Sequence, residues 1–164
     1  MIKLDAIDLK ILAALQSEGR MTKVKLAEAV NLSVSPCWER LRRLEREGVI
    51  SGYRAEIDLS KLVRAAMVWV EISLTHHRHE DFEAFERHIN DMPEVVECWA
   101  TGGTTDYLMR VVTPHMDAYQ ELIEQLLAAD LGIDRYVTCV VTKRVKKPSE
   151  LPIASLINGL RKAD

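Results

Sequence analysis

Apolar residues at the start of the chain recur at three- and four-residue steps, Leu4, Ile7, Ile11 and Leu15, and so fall on one side of a helix. Asp5 and Asp8 stand near its positive end, where carboxylates are favoured, and Gly19 stops it. Thr22 opens a second, short helix as its N-cap; Leu26, Ala27 and Val30 form its buried stripe and Asn31 makes the turn that ends it. A third helix is predicted from Ser35-Pro36, a capping hydroxyl followed by proline at the first helical position, to Glu47, with Gly48 as its stop. The following VISGYRAEIDLS has β-favouring residues around Ser51-Gly52 and reads as a small hairpin, a wing, against the third helix.

From Ala65 the period becomes two. AAMVWVEISLT places Val68, Val70, Ile72 and Leu74 on one face of a strand and Met67, Trp69, Glu71 and Ser73 on the other. HEDFEAFERHINDM follows as a helix with Phe82, Phe85, Ile89 and Met92 at core spacing, ended by Pro93. VVECWATG and DYLMRVVTP are two strands around a polar Gly/Thr loop, MDAYQELIEQLLAAD is a helix burying Tyr119, Leu122, Ile123 and Leu126, and IDRYVTCVVTKRV is the last strand. The order βαββαβ predicts a ferredoxin-like antiparallel sheet with both helices on one face. The fold class is therefore α+β: a winged helix-turn-helix over residues 1–60, a ferredoxin-like βαββαβ domain over 61–147, and a tail over 148–164 with an amphipathic turn or two from Ile153 to Leu160.

With 48% hydrophobic and 29% charged residues, five Pro and seven Gly, the chain has ordinary globular composition, which excludes wholesale disorder. No uncharged apolar run reaches the roughly 18 residues of a membrane span. The start, MIKLDAIDLKILAALQ, carries charges inside its apolar stretch where a signal peptide has none, so a cytoplasmic location is expected. Cys37, Cys98 and Cys139 lie far apart without a CxxC pair and read as reduced, packed thiols. The net charge of −3 hides an asymmetry: residues 1–54 hold ten Lys/Arg and seven Asp/Glu, a balance of +3, whereas the remainder hold twelve and eighteen, a balance of −6. An N-terminal part that meets a polyanion, joined to a part with another task, fits that division.

On a helical wheel of the third helix, Cys37, Trp38, Leu41 and Leu44 fall on one side. Ser35, Glu39, Arg43 and Arg46 fall on the other, flanked by Arg40 and Arg42. Such a face suits a major groove: arginine matches guanine O6/N7, glutamate accepts from cytosine N4, and further guanidiniums grip phosphates. A solvated, ion-paired surface would account for the charge run alone; the short helix, the turn and the hairpin around it favour DNA. His76, His77 and His79 invite a metal reading, but beside Arg78, Glu80 and Asp81 they read as an exposed loop, and no metal or cofactor is expected. No nucleophile elbow, P-loop or HExxH is present, so no enzyme is expected.

The segments LDAIDLKILAALQSEGR, KLAEAVNLSVSPCWERLRRLEREGVISGYRAEID and MPEVVECWATGGTTDYLMRV resemble the Lrp/AsnC family of bacterial transcription regulators, up to about residue 147. The resemblance implies a winged helix-turn-helix joined to a RAM-type domain that binds effectors and oligomerises, as dimers and commonly as a tetramer of dimers. It places groove-reading positions at Ser33, Ser35, Glu39, Arg40 and Arg43, to which the wheel adds Arg42 and Arg46. It places the effector loop at Gly102, Gly103, Thr104, Thr105 and Asp106. Glycines let backbone approach a small ligand, threonine hydroxyls and amides suit a carboxylate, and Asp106 suits an ammonium group, so an amino-acid-like effector is expected. The expected function is ligand-responsive transcription regulation on palindromic double-stranded operator DNA, controlling amino-acid metabolism or transport. The rivals are a small-molecule sensor acting through a protein partner and a metal-responsive repressor using the histidines.

Overall fold

Asp5 starts the first helix by satisfying amides that a helix end leaves bare. In the computed structural model, which describes residues 2–146 and 150–160, Asp5 Oδ1 accepts from the Ile7 and Asp8 N–H groups at 2.9 Å each. Asp8 Oδ2 accepts in return from the Asp5 N–H at 3.0 Å, completing a capping box. The helix so opened, α1 (Ala6–Ser17), is followed by α2 (Lys23–Ala29), capped by the Thr22 hydroxyl, and by α3 (Val34–Arg46). Asn31 (φ 57°) and Gly48 (φ 71°) take the left-handed conformation just past α2 and α3, the usual device for leaving a helix. Ile11, Leu12, Leu26, Ala27, Val30, Cys37, Leu41 and Leu44 close into one core.

Three details differ from the sequence reading. First, α3 begins ahead of Ser35: Ser33 is the N-cap by backbone geometry, without a side-chain capping bond, and Pro36 lies in the first turn. Proline is tolerated there because first-turn N–H groups have no intrahelical acceptor in any case. Second, the hairpin does not form. The Val49 and Ile50 N–H groups both donate to Leu44 C=O, closing the end of α3, and residues 51–58 are exposed without secondary structure. An isolated two-stranded hairpin is marginal in water, and this segment buries no face that would support one. Tyr53 stays tied to α3 through its hydroxyl, which donates to Glu45 at 2.9 Å.

Third, the tail returns to the N-terminal core. Its helix, α6 (Ile153–Leu160), packs Ile153 against that core. Gln16 of α1 grips Leu151, two residues ahead of α6, accepting from the Leu151 N–H at 2.7 Å and donating to the Leu151 C=O at 3.3 Å. Residues 147–149 and 161–164 of the expected tail and its boundary lie outside the described residues. The chain thus forms two compact units, one from Met1–Glu56 with Lys146–Asp164 and the other from Ile57–Val145.

The second unit opens with a short 3-10 turn, Leu59–Lys61, and is built from β1 (Ala66–Leu74), α4 (His79–Asn90), β2 (Val95–Ala100), β3 (Tyr107–Thr113), α5 (Met116–Ala128) and β4 (Ile133–Val140). The strands are antiparallel in the order β2-β3-β1-β4, the ferredoxin-like arrangement. Val68, Val70, Ile72 and Leu74 alternate into the core with Tyr107, Met109 and Val111, and meet Phe85 and Ile89 of α4 and Tyr119, Leu122, Ile123 and Leu126 of α5. The helices therefore cover one sheet face; Trp69, Leu108, Arg110 and Trp99 stand on the other in cross-strand register. Among the described residues no helix is long and apolar enough to cross a membrane.

Candidate functional site

The α3 wheel resolves into three sectors. Cys37, Leu41 and Leu44 are buried in the core, and burial pushes the Cys37 thiol up from its ordinary value. Ser33, Ser35, Glu39, Arg42 and Arg46 are exposed, as a groove-reading face requires. Arg40 and Arg43, expected on that face, are half-buried and turned toward α1, which corrects the sequence reading. Arg40 Nη1 donates to Asp5 Oδ2 at 2.6 Å and to Asp8 Oδ1 at 2.9 Å, and Arg43 Nη2 donates to Asp8 Oδ2. Arg40 lies only about 60–70° from the middle of the buried stripe at 100° per residue, so a long side chain there reaches back to the neighbouring helix.

Asp8 is fully buried, and a carboxylate taken out of water is tolerable only when paired. The Asp8 N–H and the Arg40 guanidinium hold the Asp5 carboxyl below its usual range, and the bonds to Asp5 and Asp8 raise Arg40 in turn. One signal in the sequence could have found this cluster: Asp8 interrupts the apolar stripe with Ile11, Leu12 and Leu15. Trp38 is only partly buried; Lys23 Nζ lies 3.5 Å from its ring centroid and the Arg42 guanidinium carbon 5.6 Å, so the ring braces α2 and one exposed arginine.

In the second unit the candidate effector loop joins β2 to β3. Gly102, Gly103 and Thr104 are exposed, while Thr105 and Asp106 are half-buried. Gly103 has φ 133°, a conformation that side-chain-bearing residues rarely adopt. The Thr101 hydroxyl donates to Thr105 C=O at 2.7 Å and the Ser73 hydroxyl to Thr104 C=O at 3.3 Å, pinning the loop at both ends. The register of β1 against β4 shifts between Ser73 and Leu74, and the Leu74 N–H donates to Asp106 Oδ2 at 2.7 Å instead of to a neighbouring strand. Asp106 therefore already has a partner, and His77 Nε2 adds a second at 3.0 Å from Oδ1. A carboxylate has about four acceptor positions, which leaves room for a further donor.

Asp106 lines two cavities. One of about 440 Å³ also touches Ser73, His77, Gly103, Thr104, Asp134 and Arg135. The other, of about 320 Å³, touches Phe82, Glu83, Glu86, Thr101 and Tyr107. Burial and the Glu86 carboxylate, to which its hydroxyl donates at 2.8 Å, push Tyr107 well above the usual phenol range. Of the three histidines, His77 serves Asp106 and His79 faces Glu83 at 3.2 Å. Among the described residues no group of three or more His, Cys, Asp or Glu side chains could hold a metal ion.

A family model described as the Lrp/AsnC ligand binding domain matches residues 67–151, and one described as winged helix-turn-helix DNA-binding matches residues 4–51. The chain belongs to the Lrp/AsnC family. Among similar proteins, the transcriptional regulatory protein DoeX of Halomonas elongata is 55% identical over 148 residues, covering 90% of this chain and 94% of that protein. The leucine-responsive regulatory protein of Escherichia coli is 39% identical over 150 residues, 92% of each chain. Two solved structures agree in fold: an AsnC family regulator from Agrobacterium tumefaciens (33% identity, TM-score 0.85, 93% of this chain and 99% of that one) and a regulator from Neisseria meningitidis in complex with L-Met (32%, 0.86, 94% and 99%). This Lrp/AsnC chain is a transcription regulator with a DNA-binding helix-turn-helix and a ligand-binding domain, and it is not an enzyme. The rival expectation of a sensor without DNA gives way to that match.

Proposed function

We propose that the regulator acts in the cytoplasm and reads imperfectly palindromic operators with paired α3 helices, its occupancy changing when an amino-acid effector binds at the Gly102 to Asp106 loop. The observation that carries this reading is the sector Ser33, Ser35, Glu39, Arg42 and Arg46, exposed on a helix whose opposite side is locked into a core. The effector assignment is supported by the 440 Å³ cavity, which sets Arg135 and loop amides, suited to a carboxylate, beside Asp106 and Asp134, suited to an ammonium group. It is supported also by the L-Met complex of the Neisseria regulator and the name of the leucine-responsive relative. The uncovered sheet face, where Trp99 is 62% exposed, fits a second copy of the chain; homodimers of this kind, assembled further into a tetramer of dimers, would present the paired helices a palindrome needs. Target genes of amino-acid metabolism or transport follow from the same effector class.

The test is footprinting on DNA upstream of the gene itself, with and without each protein amino acid. The expected result is protection of paired half-sites about one helical turn, or a multiple, apart, altered by at least one amino acid. Absence of any protection at low salt would overturn the DNA assignment. Protection indifferent to every amino acid would overturn the effector class alone.

A further inference from the structure

We propose that Asp5 and Asp8 act as an internal substitute for DNA phosphate, withholding Arg40 and Arg43 from the duplex and so determining how specific the α3 surface is. The inference rests on the reading of α3 as the groove helix. Guanidinium binds carboxylate and phosphate through the same forked donors. In this structure Arg40 Nη1 is taken by Asp5 and Asp8 together and Arg43 Nη2 by Asp8, although the two arginine side chains remain 29% and 38% exposed at the helix rim. Four arginines therefore stand along α3, but only Arg42 and Arg46 are outside the cluster. Two carboxylates offset two guanidiniums, and the net attraction of the surface for any polyanion falls accordingly.

A packing role alone does not call for this arrangement. Asp8 lies in the apolar stripe of α1, where a leucine would fill the core without burying a charge, and ion pairs of this kind seldom add stability over apolar residues of similar volume. What a leucine would not do, besides closing the capping box on the Asp5 N–H, is occupy two guanidiniums. Phosphate contacts hold any sequence alike, whereas base contacts discriminate. Arginines released from α1 would therefore strengthen binding to all DNA and dilute the discrimination provided by Ser35, Glu39, Arg42 and Arg46. Asp8 and Asp5 are thus specificity-determining residues that touch no DNA.

The experiment measures binding of the full chain to sheared genomic DNA by fluorescence anisotropy between 50 and 200 mM salt, for wild type, Asp5→Asn, Asp8→Asn, Arg40→Gln and Arg42→Gln. Asparagine still caps a helix, so Asp5→Asn keeps α1 intact while removing one charge. The carboxylate variants are expected to bind this non-specific DNA more tightly than wild type, with a steeper salt dependence. Each guanidinium that gains a phosphate adds about 0.9 to the log-log slope, or about 3.5-fold over that fourfold salt range. Arg40→Gln is expected to leave the wild-type slope unchanged and Arg42→Gln to lower it. Folded carboxylate variants with weaker or unchanged binding would overturn the proposal, because a merely structural role predicts loss and never gain. So would a slope lowered by Arg40→Gln, which serves as the test even if Asp8→Asn fails to fold. Wild type that binds this DNA without salt dependence would instead overturn the reading of α3 itself.

Discussion

Ile153→Ala and Gln16→Ala probe whether the returning tail stabilises the DNA-binding unit. Ile153 is partly buried against the core, and truncating a half-buried isoleucine removes about 1 kcal/mol of transfer free energy. Gln16 makes two hydrogen bonds to Leu151, both at the surface, each worth about 0.5 kcal/mol once water can replace it. The two changes together should cost about 2 kcal/mol, unless the tail undocks first. Undocking sets a ceiling: once α6 leaves α1, no further change in the tail has any effect, so the double variant should lose no more than a chain ended at Val145, which lacks the tail altogether. Hydrogen exchange of the α1 amides is the suitable assay, because it reads this unit separately from the other. A loss of 2 kcal/mol corresponds to roughly 30-fold faster exchange. Unchanged α1 exchange in both the double variant and the shortened chain would refute the reasoning, since it would mean that the tail contact carries no free energy.

Other outcomes are equally definite. Asp106→Ala should keep DNA affinity while abolishing the amino-acid response seen in footprinting, and should cost about 1 kcal/mol in thermal unfolding because the Leu74 N–H loses its acceptor. Asp5→Ala removes an N-cap worth about 1 kcal/mol at neutral pH. Because the Asp5 carboxyl is held below its ordinary value, its contribution is present above that ordinary value and is lost as pH falls through the lower folded-state value, so the difference from wild type should narrow in acid. A gap in urea midpoint that stays constant down to pH 2 would contradict this. Trp69→Asp, at the centre of the uncovered sheet face opposite Arg110, should shift the protein toward monomer in sedimentation while leaving the far-UV circular dichroism of the folded backbone intact.

The parts of the structure that were legible are those with a period. Val68, Val70, Ile72 and Leu74 alternate strictly and all four are buried; Tyr119, Leu122, Ile123 and Leu126 keep helical spacing and all face the sheet. Patterns local to one element lose force at its ends and between elements. Ser35-Pro36 carries the residue types of a helix start, yet the helix starts ahead of it because proline also fits elsewhere in the first turn. The expected wing had the right residue types but no third surface to bury them against.

The wheel placed Ser35, Glu39, Arg42 and Arg46 outward, where they are, because orientation follows from backbone periodicity alone. It misdirected Arg40 and Arg43 because their partners, Asp5 and Asp8, lie over thirty residues away on another helix. The pairing of His77 with Asp106 was hidden for the same reason, with 29 residues between the two.

The return of α6 to α1 makes the DNA-binding half discontinuous in sequence, with the whole sensor half inserted between its pieces. A chimera that exchanged reading heads at a single splice point would move only the N-terminal piece of that half. Here one splice would strand Ile153 and Leu151 without their Gln16 and α1 seat, so a faithful exchange needs two junctions, one near residue 56 and one near residue 146. Transplanted with both pieces, the head would carry its own closing strap into the new host.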